Sequence, residues 1–359
     1  MPVDARQRAC YQEKAPQLLA AIDPEAGIMR RGGAQQACNQ LCEGGCNIQA
    51  QYGEEMLGDA CYFYPRTLHA VVGQYRMVGD ISCPEMLRII LSEPQPFAVQ
   101  DTLLGREPQP RRDLVPDGWS AAQVDALHAH AMAIAGDNAR PPEEALAELL
   151  HLAELLTEAP TGDWRGLLPL VQQRMAMTEP AALPAAAYAV YYALALLEAF
   201  GTANPHARLC DIMATMEQQL DCRFDRAARS ITMGADSFHV HARLVGRWQI
   251  DARTSLAPVL RRWLQAQVAM TYFPFGGFAD ITMLQRAAIM VQRFATVRLA
   301  LMCHVAPNGV PPDEETVIRV IQGVARFMNH IADAKLTLMI HRDSGWVDTP
   351  RLRGLIAGV

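Results

Sequence analysis

From Trp119 onward, apolar residues return at intervals of three and four; before it they do not. That spacing marks one face of an α-helix. Ser120 is a good N-cap and predicts a helix running to about Ala135. Pro141 and Pro142 open a second, with Glu143 and Glu144 in its first turn, where they meet the positive end of the helix dipole. Its Leu146, Leu149, Leu150 and Ala153 recur at helical spacing. Further helices are predicted over 184–200, 205–220 and 251–272, from about Thr282 to Cys303, and from Pro312 to about Ile340. In the last, Val317, Val320, Ile321, Val324, Phe327, Met328 and Ile331 form a core stripe. Tyr188, Tyr191 and Tyr192 also sit at helical positions, where core packing is the default. Strand signals are few: Arg229 to Met233 is one candidate, and the front of the chain has room for a little more.

Residues up to about 100 are rich in glycine, cysteine and polar side chains. The stretch DTLLGREPQPRRDLVPDG, Asp101 to Gly118, combines three prolines with several charges and reads as a linker. The expected organisation is therefore a cysteine-rich region over 1–100, a linker over 101–118 and a helical domain over 119–345. The fold class is mostly α, with a small cysteine-rich, metal-binding N-terminal region followed by a large helical domain.

Composition narrows the partners. The 359 residues are 50% hydrophobic and 19% charged, with a net charge of −6, which supplies a large core and no basic face for phosphates. A nucleic-acid partner is not expected. The longest apolar run, Ala181 to Phe200, is broken by Pro184, Tyr188, Tyr191, Tyr192 and Glu198, so no membrane span is expected. MPVDARQRAC holds no apolar signal core, and a cytoplasmic location is expected. In that compartment nine cysteines do not make a disulfide framework.

The cysteines are unevenly spread. Cys10, Cys210, Cys222 and Cys303 stand alone and read as small buried hydrophobes. Cys38, Cys42, Cys46, Cys61 and Cys83 crowd together. Thiolates three residues apart with glycines between can turn toward one centre, and four thiolates suit a [4Fe–4S] cluster or a structural zinc. The paired C-x2-C knuckles that zinc favours are absent, which tilts the reading toward iron–sulfur. Cys83 precedes Pro84 and an apolar run (Met86, Leu87, Ile90, Leu91), so a helix N-terminus would stabilise its thiolate. Arg66, just after Pro65, could offset the charge of an anionic cluster or of a substrate group.

Here the sequence becomes recognisable. Cys38 and Cys46 flank a short loop; then come Tyr52, Gly53, Leu57, Cys61, Tyr64, Pro65 and Arg66, then Ser82-Cys83-Pro84-Glu85 leading to Leu91 and Pro94. This series resembles the front of the flagellin lysine-N-methylase family, related to zinc- or iron-chelating cysteine proteins. Tyr272-Phe273-Pro274-Phe275 resembles the family's NxFPF element. Arg298, Asp313-Glu314-Glu315, and Arg326 with His330 resemble its C-terminal helices. The family's upstream cysteine element, closing in CC-x-G-W, has no counterpart here, and Cys42 is additional. Four family-matching thiols remain, Cys38, Cys46, Cys61 and Cys83, with Cys42 a rival for the fourth place.

The resemblance implies methyl transfer from S-adenosylmethionine to lysine on flagellin, in a protein carrying a [4Fe–4S] cluster, with zinc the alternative. Such a site must hold the donor, deprotonate the amine and align nitrogen, methyl and sulfur. No G-x-G-x-x-G follows a strand, so a Rossmann donor domain is not expected, and Gly276-Gly277 reads as a turn. Cys38-x3-Cys42-x3-Cys46 falls one residue from the C-x3-C-x2-C of enzymes that chelate S-adenosylmethionine on an open iron. His330, one turn from Arg326, and Glu85 are candidate bases, with Asp59 a rival and Arg66 a charge partner. His239 and His241 form an H-x-H with no third ligand nearby in sequence. Other amine-bearing substrates, or a non-enzymatic metal-binding interaction protein, are the alternatives.

Overall fold

The computed structural model describes the chain except residues 1–2, 33–36, 44, 109–110, 179–182, 201–206, 226, 229, 278–279, 329–333 and 359, and the side chains of 196–200, 207–209, 237–238, 327–328 and 334–337. It is mostly helical, as the spacing predicts. The front comprises α1 (Ala5–Lys14), a 3₁₀ turn (Pro16–Ala21), the short strands β1 (Arg31–Gly32), β2 (Ala37–Cys38), β3 (Leu41–Cys42) and β4 (Gly45–Cys46), then α2 (Asn47–Tyr52) and α3 (Asp59–Phe63). β1 pairs antiparallel with β2 and β3 with β4. A longer antiparallel hairpin follows, β5 (Arg66–Val71) with β6 (Gln74–Gly79), and then α4 (Pro84–Ser92).

The body holds α5 (Ala121–Gly136), α6 (Pro142–Glu158), α7 (Leu168–Met177), α8 (Ala185–Phe200) and α9 (Ala207–Leu220). The hairpin β7 (Cys222–Asp225) with β8 (Ser230–Met233) comes next, followed by α10 (Ser237–Arg247), α11 (Arg253–Met270), α12 (Met283–Cys303), α13 (Glu314–Met328), α14 (Ala334–Asp343) and α15 (Thr349–Ala357). Ser120 caps α5 in a reciprocal capping box with Gln123, and Thr282 does the same for α12 with Gln285. A π turn at Trp248–Ala252 joins α10 to α11 ahead of Pro258, which removes a helix donor and kinks the run.

α12 is the axis of the body. Every residue from Ala287 to Cys303 is buried, the signature of a helix enclosed on all sides. α6, α9, α11, α13 and α15 pack around it. The helix expected from Pro312 to about Ile340 is described as two pieces, α13 and α14. Its stripe residues Val317, Val320, Ile321 and Val324 are buried, while the side chains of Phe327 and Met328 and all of Ile331 lie outside the described residues. Val71 in β5, Ile81, and Leu87 and Ile90 in α4 join this large core. The front instead has its own: Tyr11, Ala15, Leu18, Ala21, Ile22, Met29, Ile48, Met56 and Leu57. Among the described residues no helix is long and apolar enough to cross a membrane.

Candidate metal centre

Four half-buried thiols pack against this front core: Cys10, Cys38, Cys46 and Cys61. Each arrives on a different element. Asp4 caps α1 by accepting from the Gln7 N–H at 2.8 Å, and the Gln7 amide donates to the Met56 carbonyl at 2.5 Å, tying α1 to the turn before α3. That contact sets Cys10 Sγ 3.4 Å from Met56 Sδ. Cys38 lies in β2 across from Arg31, and Cys46 closes β4 across from Leu41 as the N-cap of α2. Cys61 sits in the middle of α3.

Electrostatics binds the four into one neighbourhood. Burial pushes the Cys61 thiol above its ordinary value, and the negative charges of Cys38 and Cys46 push it further. Burial raises the Tyr11 hydroxyl to about 12; a hydrogen bond with Gln7 opposes this, and Cys61, Cys46 and Cys10 add to it. All nine cysteines are free thiols. Cys61 is thus the thiol whose ionisation its neighbours Cys38 and Cys46 oppose.

Two arginines close the region. Arg106, from the proline-rich stretch, donates to the carbonyls of Leu57 (2.5 Å), Glu55 (2.7 Å) and Glu54 (3.1 Å), pairs with Asp59 at 3.5 Å and lies 4.3 Å over the Tyr62 ring. Arg66 donates to the carbonyls of Tyr62 (2.7 Å) and Phe63 (3.1 Å), closing the C-terminus of α3. Its guanidinium therefore serves the helix that carries Cys61.

The other predicted residues stand elsewhere. Cys42 is exposed on the β3–β4 hairpin, its thiol donating to the Gly45 carbonyl (3.3 Å) and the Asn47 side chain (3.2 Å). Cys83 is the N-cap residue of α4. It neighbours Tyr64, whose hydroxyl is raised by burial against a hydrogen bond with Ser82, with Cys83 and Asp80 raising it further. Glu85 is an exposed surface acid paired with Arg88 at 2.6 Å, and Arg88 also meets Glu315. His330 lies outside the described residues. His241 stacks on Tyr188 at 3.7 Å, bonds the Tyr192 hydroxyl at 2.6 Å and is pushed down to about 4 by burial and by Arg298, whereas His239 is exposed.

Cys10, read from the sequence as a lone small hydrophobe, packs on the same core as the other three thiols. It lies 28 positions before Cys38, and only the fold of α1 onto the 54–56 turn brings it in. A second polar cluster also escaped the sequence reading. The His69 ring in β5 donates to the Met270 carbonyl at 2.9 Å, and the His128 ring in α5 donates to that of Phe273 at 3.2 Å. His128 stacks on Tyr272 at 4.0 Å, and Tyr272 shares Asp125 with Arg76. The YFPF turn, whose Tyr272 has φ +44°, is thus held from two sides. Its aromatic run was legible; its partners, some 145 and 201 residues away, were not.

Among the described residues no three Cys, His, Asp or Glu side chains stand close enough to hold one metal ion. A tetrahedral zinc with bonds of about 2.3 Å needs its sulfurs about 3.8 Å apart. A cubane carries iron and sulfide between its thiolates and so suits a wider ring. No family model, curated protein or solved structure matches the chain.

Proposed function

We propose that this is an iron–sulfur protein whose [4Fe–4S] cluster is held by Cys10, Cys38, Cys46 and Cys61, and that it transfers a methyl group from S-adenosylmethionine to a lysine amine, flagellin being the substrate that the family resemblance implies. The observation that supports the reading is that four half-buried thiols from four elements pack against one small apolar core. Four half-buried cysteines around nine buried residues are more than packing alone calls for, since alanine, valine or leucine would serve it as well.

A [4Fe–4S] cluster on four thiolates would supply redox chemistry, with every iron already ligated. The chain's own residues set its surroundings. The thiolates would hold it against a core that includes Met56, Ile48 and Tyr11, and Arg106 places a positive charge over Tyr62, next to Cys61 in the chain. A partly dry environment with one fixed cation favours a compact anionic group over its dissociated parts.

The test is anaerobic purification with a visible spectrum and iron, sulfide and zinc analysis, followed by incubation with S-adenosylmethionine and flagellin and mass spectrometry of the lysines. About four irons per chain with broad visible absorbance, and methylated lysine, are expected. A colourless protein holding zinc would remove the cluster; a cluster-replete protein that transfers no methyl group would remove the enzyme.

A further inference from the structure

The chain carries almost no lysine. Of its 32 lysines and arginines only Lys14 and Lys335 are lysine. Several of the arginines have work that suits a planar fork. Arg66 spans the carbonyls of Tyr62 and Phe63, Arg298 those of Leu355 and Ile356, and Arg76 grips Asp125 through two nitrogens. Arginine also stands at Arg6, Arg8, Arg30 and Arg31, all exposed on the front, where a solvated cation of either kind would do. Against that background a lysine at position 14 stands out. Lys335 lies in α14, whose Leu338 packs with Ile281 and Ile289 of the body.

Lys14 ends α1, the helix that carries Cys10. The two are four positions apart, so they share a helix face, with Cβ atoms about 5–6 Å apart. Helical side chains lean toward the N-terminus of their helix, which aims the Lys14 stem back over the turn that holds Cys10. Cys10 is half-buried against the front core and Lys14 is exposed, so the pair marks a place where the thiol neighbourhood meets solvent. Among the described residues no ion pair engages the Lys14 amine.

The helix dipole does not select lysine here. It favours a cation in the last turn of α1, and arginine meets that need equally well. The chemical difference lies elsewhere: an amine that has lost its proton is a nucleophile, while a guanidinium stays protonated.

We propose that the protein methylates its own Lys14, an inference that rests on the methyl transfer proposed above. The ammonium gives a proton to solvent, and the nitrogen lone pair attacks the methyl carbon of S-adenosylmethionine. The carbon–sulfur bond breaks with its electron pair passing to sulfur, so the sulfonium leaves as the neutral thioether S-adenosylhomocysteine. The methylated nitrogen keeps its positive charge, so the last turn of α1 keeps its favoured cation.

The test is incubation of the anaerobically purified full chain with S-adenosylmethionine carrying a deuterated methyl group, with flagellin in the same tube, and peptide mass spectrometry of both proteins. Label on Lys14 is expected, at a rate per chain unchanged by tenfold dilution, because acceptor and site belong to one molecule. A lysine installed by Arg253→Lys at the exposed start of α11 should take at least tenfold less label. Lys14→Arg should remove label from α1 and leave flagellin methylation within twofold of the parent. Labelled flagellin with bare Lys14 would overturn this inference and leave the enzyme standing. Equal label at positions 14 and 253, or a rate that falls on dilution, would overturn it too. Absence of label from both proteins would overturn the enzyme and this inference together, whereas label on Lys14 with bare flagellin would uphold the inference and remove flagellin as the substrate.

Discussion

Cys10 and Cys83 are both half-buried thiols, and only their surroundings separate them. Cys10 touches Met56 and shares a core with Cys38, Cys46 and Cys61; Cys83 caps α4 beside Tyr64 and Asp80. Serine replacement should therefore split them. Cys10→Ser, like Cys61→Ser, is expected to lose most of the iron and visible absorbance of the anaerobically purified protein, whereas Cys83→Ser and Cys42→Ser keep them. Retention of the cluster in Cys10→Ser together with its loss in Cys83→Ser would restore the assignment made from spacing. That assignment had a physical limit. Spacing in sequence reports only how thiols can meet within one loop, so Cys38 and Cys46 were read together while Cys10, on a helix 28 positions away, was read alone. Cys83 stood out by the motif around it, and its place at the N-cap of α4 was readable from the Pro84 that follows.

At the scale of elements, helices announced themselves wherever caps and apolar period agreed. Ser120 and Thr282 mark the starts of α5 and α12, and Glu143 and Glu144 that of α6. The hairpin β5–β6 gave no such sign. Its strands show no alternation, running from exposed Arg66 to four consecutive buried residues at Leu68–Val71, because one end of β5 enters the large core. What ties helices together was equally silent. Glu154, buried in α6, meets His151 (2.9 Å), Arg174 of α7 (3.2 Å) and Arg353 of α15 (2.9 Å). Burial pushes its carboxyl up, but hydrogen bonds from His151 and Thr349 and the charge of Arg353 outweigh this and hold it down to about 2. A depressed carboxylate contributes stability that is complete above its unfolded value and lost as pH falls through the folded one. Glu154→Gln is thus expected to cost about 3 kcal/mol at pH 7. In urea titrations the gap between variant and parent should close between about pH 4.5 and pH 2; a gap that persists at the lowest pH would assign the loss to packing instead.

The pair His69 and His128 acts at the same scale with the opposite chemistry. Burial pushes both rings down to about 4, against the carbonyls of Met270 and Phe273 that favour protonation. The unfolded chain therefore binds more protons than the folded one between about pH 6.5 and pH 4. Stability is complete above pH 6.5 and declines on acidification through that window, by up to about 1.4 kcal/mol per pH unit for each ring. Replacing both by glutamine should flatten the slope measured by denaturant titration over this range. A slope unchanged in the double variant would place the titrating groups elsewhere.

The described residues form two main apolar cores of unequal size, with a small third cluster at Ile281, Ile289 and Leu338. The large one runs through α12 and its neighbours and reaches forward into β5, β6 and α4; the small one is confined to the front and has nine buried members. A core that small buries too little apolar surface to order its loops firmly, and small units of this kind depend on metals or cross-links. Arg106, from the proline-rich stretch, reaches back to the front through the carbonyls of Glu54, Glu55 and Leu57; within the large core, the Gln322 amide of α13 donates to the Ser82 carbonyl at 3.0 Å. Removing the proposed metal centre should therefore act locally. Chelation of iron under reducing conditions is expected to raise hydrogen exchange at least tenfold across residues 3–63, while α5, α6, α11 and α12 keep their protection. Arg106→Ala, tested with iron still bound, should loosen 54–63 in the same assay to a smaller degree, because it frees three carbonyls and leaves the thiols in place. Uniform loss of protection through α12 on chelation would mean that the two cores fold as one, and the front would then be a cap on the helical body and not a unit stabilised by its own thiols.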